Sequence, residues 1–278
     1  MGKYKIIHGT FHVKGYAPDG DSIRFQADND AHWDFFHWEK ASARKAKRKQ
    51  LRVEAIDSLE THYEELRQPP SFAVAALERI LELVGITDVE YNLLVTLITS
   101  AKDGTPGYIA ANAVDPFNRP VSFVFPESAN LTDGAEFSDA DLPLEKSINY
   151  FLLKEAIVYP TFYDTLEASI VDRLREVAKT ARANSRGLWA IDRTHGFRMW
   201  NPDTIQQEAI ILPKLFRRFV QFFKTSSTME GFIDYLKKHR DPILVDGQKH
   251  NLHDFLENKG NFYRLTIFPE DMIFAPKG

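Results

Sequence analysis

Short apolar runs of strand length fill the first 125 residues, with a single helical segment among them, and helical periodicity dominates only afterwards. A chain ordered in this way folds most simply as a small sheet or barrel carrying packed helices, an α+β arrangement. The runs IIHGTFHVKGY and SIRFQ flank the turn Pro18-Asp19-Gly20-Asp21, which reads as a hairpin over 5–25. LRVEAID, residues 51–57, alternates as a strand with one buried face, and FAVAALERILELV, residues 72–84, has apolar residues at helical spacing and stops at Gly85. Further strands are predicted at 91–99, 108–114 and 121–125, and helices at about 147–158 and 165–183.

Beyond Thr194 the pattern changes to helices at about 204–223 and 229–239, a strand at 243–245, a short helix near 252–257 and a strand-like run at 262–268. This places a domain boundary there, giving domains 1–193 and 194–278, the second a mostly helical α+β unit. Two insertions interrupt the first. Residues 27–50 carry the aromatics Trp33, Phe35, Phe36 and Trp38 and the basic run Arg44, Lys45, Lys47, Arg48, Lys49; the second insertion is at about 62–70.

Charge narrows the functional classes. With 35 Lys and Arg against 39 Asp and Glu the net charge is −4, so any polyanion site must be local rather than a basic coat. The chain has no Cys, which removes disulfides, thiolate metal sites and Cys nucleophiles. No run approaches the ~18 apolar residues of a membrane span and no secretory signal opens the sequence, so a cytoplasmic, membrane-free protein is expected. Chemistry must then come from carboxylates, Arg, His or hydroxyls. Asp19 and Asp21 sit on a tight turn where a hard cation could reach them, although Asp-Gly is also an ordinary hairpin turn. Arg52, Asp57 and Glu60 follow on LRVEAIDSLET; on an unbroken strand Arg52 and Asp57 would face opposite sides.

In this order the motifs resemble the staphylococcal-nuclease-like (thermonuclease) family. Asp19-Gly20-Asp21-Ser22 is similar to the family's DGDT turn, and LRVEAIDSLET to its Arg, Asp and Thr-Pro-Glu-Thr segment, with Ser58 and Leu59 in place of Thr and Pro. DPFNRPVSFVF resembles its Asp-x-Tyr-Gly-Arg segment, with Phe117 and Asn118 replacing Tyr and Gly. SINYFLLKEAIV and ARANSRGLW resemble its last two helices, and the resemblance spans about residues 5–192.

The resemblance implies a five-stranded OB-type barrel with three helices and a metal-dependent nuclease that acts on DNA, RNA or both and leaves 3′-phosphate ends. It implies that Asp21, Asp57 and the Ser58 carbonyl bind a divalent cation, Ca²⁺ in the best-known members, with Mg²⁺ or Mn²⁺ as alternatives. Glu60 would orient or deprotonate the attacking water, and Arg52 and Arg119 would grip the phosphate and stabilise the charge of the five-coordinate transition state. Asp19 would support the metal turn and Asp115 the loop bearing Arg119, while Phe117 could stack on a base or sugar. The alternative is a catalytically silent or partner-activated binding module on the same barrel. The run from Arg44 to Lys49 reads equally as a phosphate-contacting patch or a solvated loop. Arg217, Arg218 and Lys224 read as the polar face of an amphipathic helix whose Phe216, Phe219, Phe222 and Phe223 seek a core, a protein partner or a second copy.

Overall fold

The computed structural model describes residues 3–93, 97–208 and 210–275. In chain order the elements begin with β1 (Lys3–His12), β2 (Arg24–Ala27), α1 (Ala41–Lys45), β3 (Lys49–Gln50), β4 (Arg52–Val53), β5 (Ile56–Asp57) and α2 (Pro70–Leu83). They continue with β6 (Thr87–Tyr91), β7 (Ile98–Lys102), β8 (Thr105–Val114), β9 (Pro120–Pro126), β10 (Glu136–Ser138) and α3 (Ile148–Glu155). Next come β11 (Tyr159–Pro160), β12 (Phe162–Tyr163), α4 (Ala168–Ala183), β13 (Phe197–Arg198), α5 (Pro202–Glu208), α6 (Pro213–Phe223) and α7 (Phe232–His239). The chain closes with β14 (Pro242–Val245), β15 (Gln248–Asn251), β16 (Leu256–Lys259), β17 (Phe262–Leu265) and β18 (Ile273–Phe274).

Two compact units interleave along this order. The first takes the chain as far as Glu54, Ala76–Leu152 and Glu167–Ile170; the second takes Ala55–Ala75, Leu153–Leu166 and the chain from Val171 on. The chain therefore does not divide at Thr194, which lies inside the second unit. The reason is visible at Ala55: the strand expected over 51–57 breaks there, with Ala55 in the left-handed region at φ 66°, and β5 pairs with β11 instead of continuing β4.

The first unit is built on a nearly closed, barrel-shaped sheet of six strands in the order β3-β2-β1-β8-β9-β4. β10 adds to one end of β1. Residues 49–54 form the seam. Leu51 N–H donates to the Ile23 carbonyl (2.8 Å) and Val53 N–H to the Asp21 carbonyl (3.0 Å), while β4 runs parallel to β9 and Glu54 N–H donates to the Ser122 carbonyl (2.9 Å). Gly9 and Gly107 face each other across β1 and β8. A Cβ at Gly9 would lie 2.1 Å from the Gln26 carbonyl oxygen, and one at Gly107 2.7 Å from that of Phe125, so the tight coiling of these strands needs glycine at both places. Ile6, Ile7, Phe11, Phe25, Ile109, Phe123 and Phe125 are buried, as are Ile80 of α2 and Ile148 and Leu152 of α3. Asn149, fully buried in α3, ties the seam: its Nδ2 donates to the Glu54 carbonyl (2.8 Å) and its Oδ1 accepts from Val124 N–H (2.9 Å).

The insertion 27–50 makes its own small core. Trp33 is buried, with Trp38 and Phe36 edge-on or tilted against it. Arg44 pairs with Asp30 and Asp34, and buried Lys49 donates to the carbonyls of Arg44 and Ala46 with its ammonium near the faces of Trp33 and Trp38. These two cations thus hold the insertion together and are not presented to a phosphate backbone; Lys45 and Lys47 are exposed and Arg48 half-buried. The strand expected at 91–99 is replaced by the β6–β7 hairpin, whose connection includes 94–96, outside the described residues.

In the second unit β12, β18, β14 and β15 form one sheet and β13, β17 and β16 another, with α5, α6 and α7 among them. The helix expected over 204–223 is two, because Pro213 cannot continue α5 and instead opens α6. The apolar face of α6 packs into this unit's own core: Phe219 stacks on Phe232 with centroids 4.2 Å apart, and Phe197 and Tyr263 close around it. The polar face is paired, with Arg218 buried, Arg217 half-buried and Lys224 exposed. Arg218 forms a buried bidentate pair with Asp241, Arg217 pairs with acidic residues described below, and Lys224 reaches Glu64 at 2.7 Å.

Candidate functional site

Within the first unit the seam brings together three segments that carry predicted site residues. Asp21 lies within the turn in which Ser22 N–H donates to the Asp19 carbonyl (3.2 Å), and its own carbonyl is held by Val53 N–H. Arg52 stands beside Val121 in the β4–β9 register, two residues past Arg119. Asp19, Asp21, Arg52 and Arg119 are all half-buried. The Asp21 turn, Arg52 and Arg119, far apart in sequence, therefore belong to one barrel edge.

Arg119 is fixed by Asp115. One carboxylate oxygen accepts from the backbone N–H groups of Phe117 and Arg119 (both 2.9 Å), and the other accepts from Arg119 Nε (2.8 Å) and Nη2 (2.7 Å). Asn118 adopts φ 63°, the conformation for which glycine would otherwise be chosen, and Asn tolerates it at modest cost. Phe117 is 80% exposed at the tip, with the Arg119 guanidinium 5.5 Å from its ring centroid. A fork aimed by one carboxylate and flanked by an open aromatic face can take a phosphate and an adjoining ring.

In the second unit lie Asp57, Ser58 and Glu60, all buried. Asp57 is held in β5 opposite Tyr159. The Glu60 loop is closed by Gln68: Glu60 N–H donates to Gln68 Oε1 (3.1 Å), Gln68 N–H donates back to the Glu60 carbonyl (3.0 Å), and Gln68 Nε2 donates to the Ile211 carbonyl (2.8 Å). The decisive neighbour is Arg217 of α6. Its Nη1 and Nη2 fork onto Asp57 Oδ1 (3.1 Å) and Oδ2 (2.6 Å), and Nη1 also donates to Glu60 Oε1. Although burial works against the guanidinium's charge, Asp57 first and then Glu60 hold it well above its ordinary range of ionisation. Sequence reasoning missed this contact because residues about 160 apart carry no local signal of it.

The donor set can be tested against the expected cation. Both Asp57 oxygens and one Glu60 oxygen are committed to Arg217, and among the described residues no group of three or more His, Asp and Glu side chains is arranged to hold a metal ion. As placed, Asp57 and Glu60 fit a guanidinium and not Ca²⁺, Mg²⁺ or Mn²⁺, which need several free oxygens around one centre. A groove of about 820 Å³, lined by Lys238, His239, Arg240, Lys249 and His250 among others, lies elsewhere in the second unit and includes none of the predicted site residues.

Lys214, one turn before Arg217, adds a pH dependence. Burial, with Arg217 and Arg218 nearby, pushes its ammonium down to about 8 from 10.5 against the pull of Asp241 and Asp57. Between those values the unfolded chain holds a proton that the folded one releases, so this group makes stability rise with pH across the window. Urea unfolding of wild type and Lys214→Met at pH 8 and pH 10 reads this directly: wild type gains on the variant as pH rises, by at most ~3 kcal/mol.

No protein-family model matches the chain, and no curated protein matches it. No described helix is long and apolar enough to cross a membrane.

Proposed function

We propose that the chain is a nuclease that hydrolyses phosphodiester bonds of DNA, RNA or both, as its resemblance to the thermonuclease family implies. The observation that carries this reading is the barrel seam, which gathers the Asp21 turn, Arg52 and the Asp115-held Arg119 onto one edge. Hydrolysis needs a water, a place for its proton and cationic groups that bind the added negative charge more strongly as it develops. Arg52 and Arg119 are the groups for the phosphate. Their forked donors can bond two phosphate oxygens at once, and Asp115 fixes Arg119 before substrate arrives, so little reorganisation remains to oppose the transition state. Glu60 is the group for the water and its proton. Asp21 and Asp57 remain the carboxylates to which the resemblance assigns a divalent cation; with Asp57 forked onto Arg217, no step is routed through one here.

A second reading, a silent or partner-activated nucleic-acid or protein-binding module, is favoured by the same Arg217 contact, because a carboxylate donated to by a guanidinium is a poorer proton acceptor.

The roles of Arg119 and Asp115 are separable in a cleavage assay on fluorescent single- and double-stranded DNA and RNA. Arg119→Ala should lower kcat about 10²-fold or more, as loss of a transition-state donor does. Asp115→Asn keeps part of the turn's hydrogen bonding and should lose less. Equal rates in wild type and Arg119→Ala would remove Arg119 from the chemistry.

A further inference from the structure

Three exposed aromatic rings meet in one groove of the second unit. Phe72, Trp200 and Phe262 are 37%, 44% and 39% exposed, and all three line a space of about 600 Å³ that Arg193 and Arg198 also line and no acidic residue does. The backbone puts them there. Along β13 and the two residues after it, Phe197 and Met199 are buried while Arg198 and Trp200 are exposed. β17 repeats the alternation, with Tyr263 buried and Phe262 exposed, and the antiparallel register sets Phe262 opposite Arg198. Met199 N–H donates to the Asn261 carbonyl (2.9 Å), which carries the pairing on toward Trp200. A Cβ at Gly196 would come within 3.3 Å of Phe262 Cζ, so the ring lies close to that glycine. Arg193 is held by its N–H, which donates to the Ile210 carbonyl (2.8 Å), and by its carbonyl, which accepts from Gly196 N–H (2.8 Å). Arg44, Arg119, Arg217 and Arg218 are all paired with carboxylates. Arg193 and Arg198 have no carboxylate partner among the described residues, and the Arg198 guanidinium stands 5.9 Å from the Trp200 ring centroid.

We infer that this groove binds an unpaired strand of nucleic acid, with bases stacked on Trp200, Phe262 and Phe72 and phosphates on Arg193 and Arg198. The inference rests on the nuclease reading for its class of ligand, and adds to it a site outside the barrel and a preference for single strands. Its physical basis is that the groove offers two things together, open ring faces and uncommitted cations. An acidic peptide would satisfy the arginines and leave the rings unused. A duplex presents its phosphates but keeps its base faces stacked inside. An unpaired strand presents a ring face and an anion at every repeat, which is the pattern of the groove. Apart from the Trp200 indole N–H, the lining has no neutral hydrogen-bonding side chain to read a sugar hydroxyl, so DNA and RNA strands should bind alike. Strand pairing already holds the backbone of Arg198 and Phe262, so little ordering cost opposes binding.

The test is fluorescence anisotropy of labelled oligo(dT), oligo(U) and a duplex of equal length with the full chain in EDTA, for wild type, Trp200→Phe, Trp200→Leu and the double variant Arg193→Gln/Arg198→Gln. Wild type should bind the two single strands alike and the duplex more weakly. Trp200→Phe keeps a ring and should stay within a few-fold of wild type, whereas Trp200→Leu should bind about tenfold more weakly, as loss of one stacked base does. The double variant should bind more weakly and lower the slope of log affinity against log salt by about 1 to 1.5, the share of two phosphate contacts on a single strand. No binding of single strands, equal affinity in wild type and Trp200→Leu, tighter binding of the duplex, or displacement by thymidine 5′-monophosphate as effective as by unlabelled oligo(dT) overturns the inference. Cleavage of the same strands in Ca²⁺ or Mn²⁺ separates it from the nuclease reading. Single-strand binding that weakens in Trp200→Leu without any cutting leaves the groove in place and removes the nuclease, whereas single-strand cutting with the same KM in wild type and Trp200→Leu does the reverse.

Discussion

Arg217→Met, in the absence of divalent metal, lowers the stability of the second unit by about 3–5 kcal/mol, the range found when one member of a buried ion pair is removed. Asp57 is only 4% and Glu60 only 8% exposed, so neither carboxylate can recover its hydration when the guanidinium goes. The loss is mostly the cost of stranding these two charges. It should therefore shrink when Asp57 is neutralised as well: the double variant Arg217→Met/Asp57→Asn unfolds at higher urea than Arg217→Met alone. Urea unfolding of the three proteins measures this, and additive losses would mean that Arg217 and Asp57 do not act as a pair.

Asn149→Ala is the second large effect. The side chain is fully buried and makes three hydrogen bonds, to the Glu54 and Ser122 carbonyls and from Val124 N–H. Alanine leaves a buried donor and buried acceptors without these partners at about 1–3 kcal/mol each, so a loss of about 3 kcal/mol is expected in the first unit. Because Glu54 lies on the seam beside Arg52, the loss should also appear as faster amide exchange at 51–54 and 122–124. A stable variant with unchanged protection there would show that the seam holds without this residue.

Several elements were legible because local pattern decides them. The hairpin of β1 and β2, the strands β8 and β9 and the helices α2 and α4 follow from apolar spacing, turn residues and Gly85. Pro213 also carried a local signal, and the single helix expected over 204–223 ignored it. The break at Ala55 was not legible, since nothing in LRVEAID forces a left-handed alanine; tertiary pairing of β4 with β9 and of β5 with β11 imposes it. The site divides in the same way. The clamp of Asp115 on Arg119 is a contact over four residues and could be anticipated from the turn. Arg217 looked like one charge on a helix face, and its partnership with Asp57 and Glu60 exists only through long-range packing. Arg44 and Lys49 show the opposite error: a basic run in sequence became internal ties once Asp30, Asp34 and the tryptophans folded around them.

The central claim, that this barrel carries a phosphodiesterase site, is tested most directly by incubating the full chain with fluorescent single- and double-stranded DNA and RNA, in Ca²⁺, Mg²⁺, Mn²⁺ or EDTA, beside Glu60→Gln and Arg52→Ala. The account predicts cutting to 3′-phosphate ends that falls about 10²-fold or more in each variant, the range for loss of a general base or a transition-state donor. Folded wild-type protein that binds these nucleic acids and cuts none of them under any condition would contradict it.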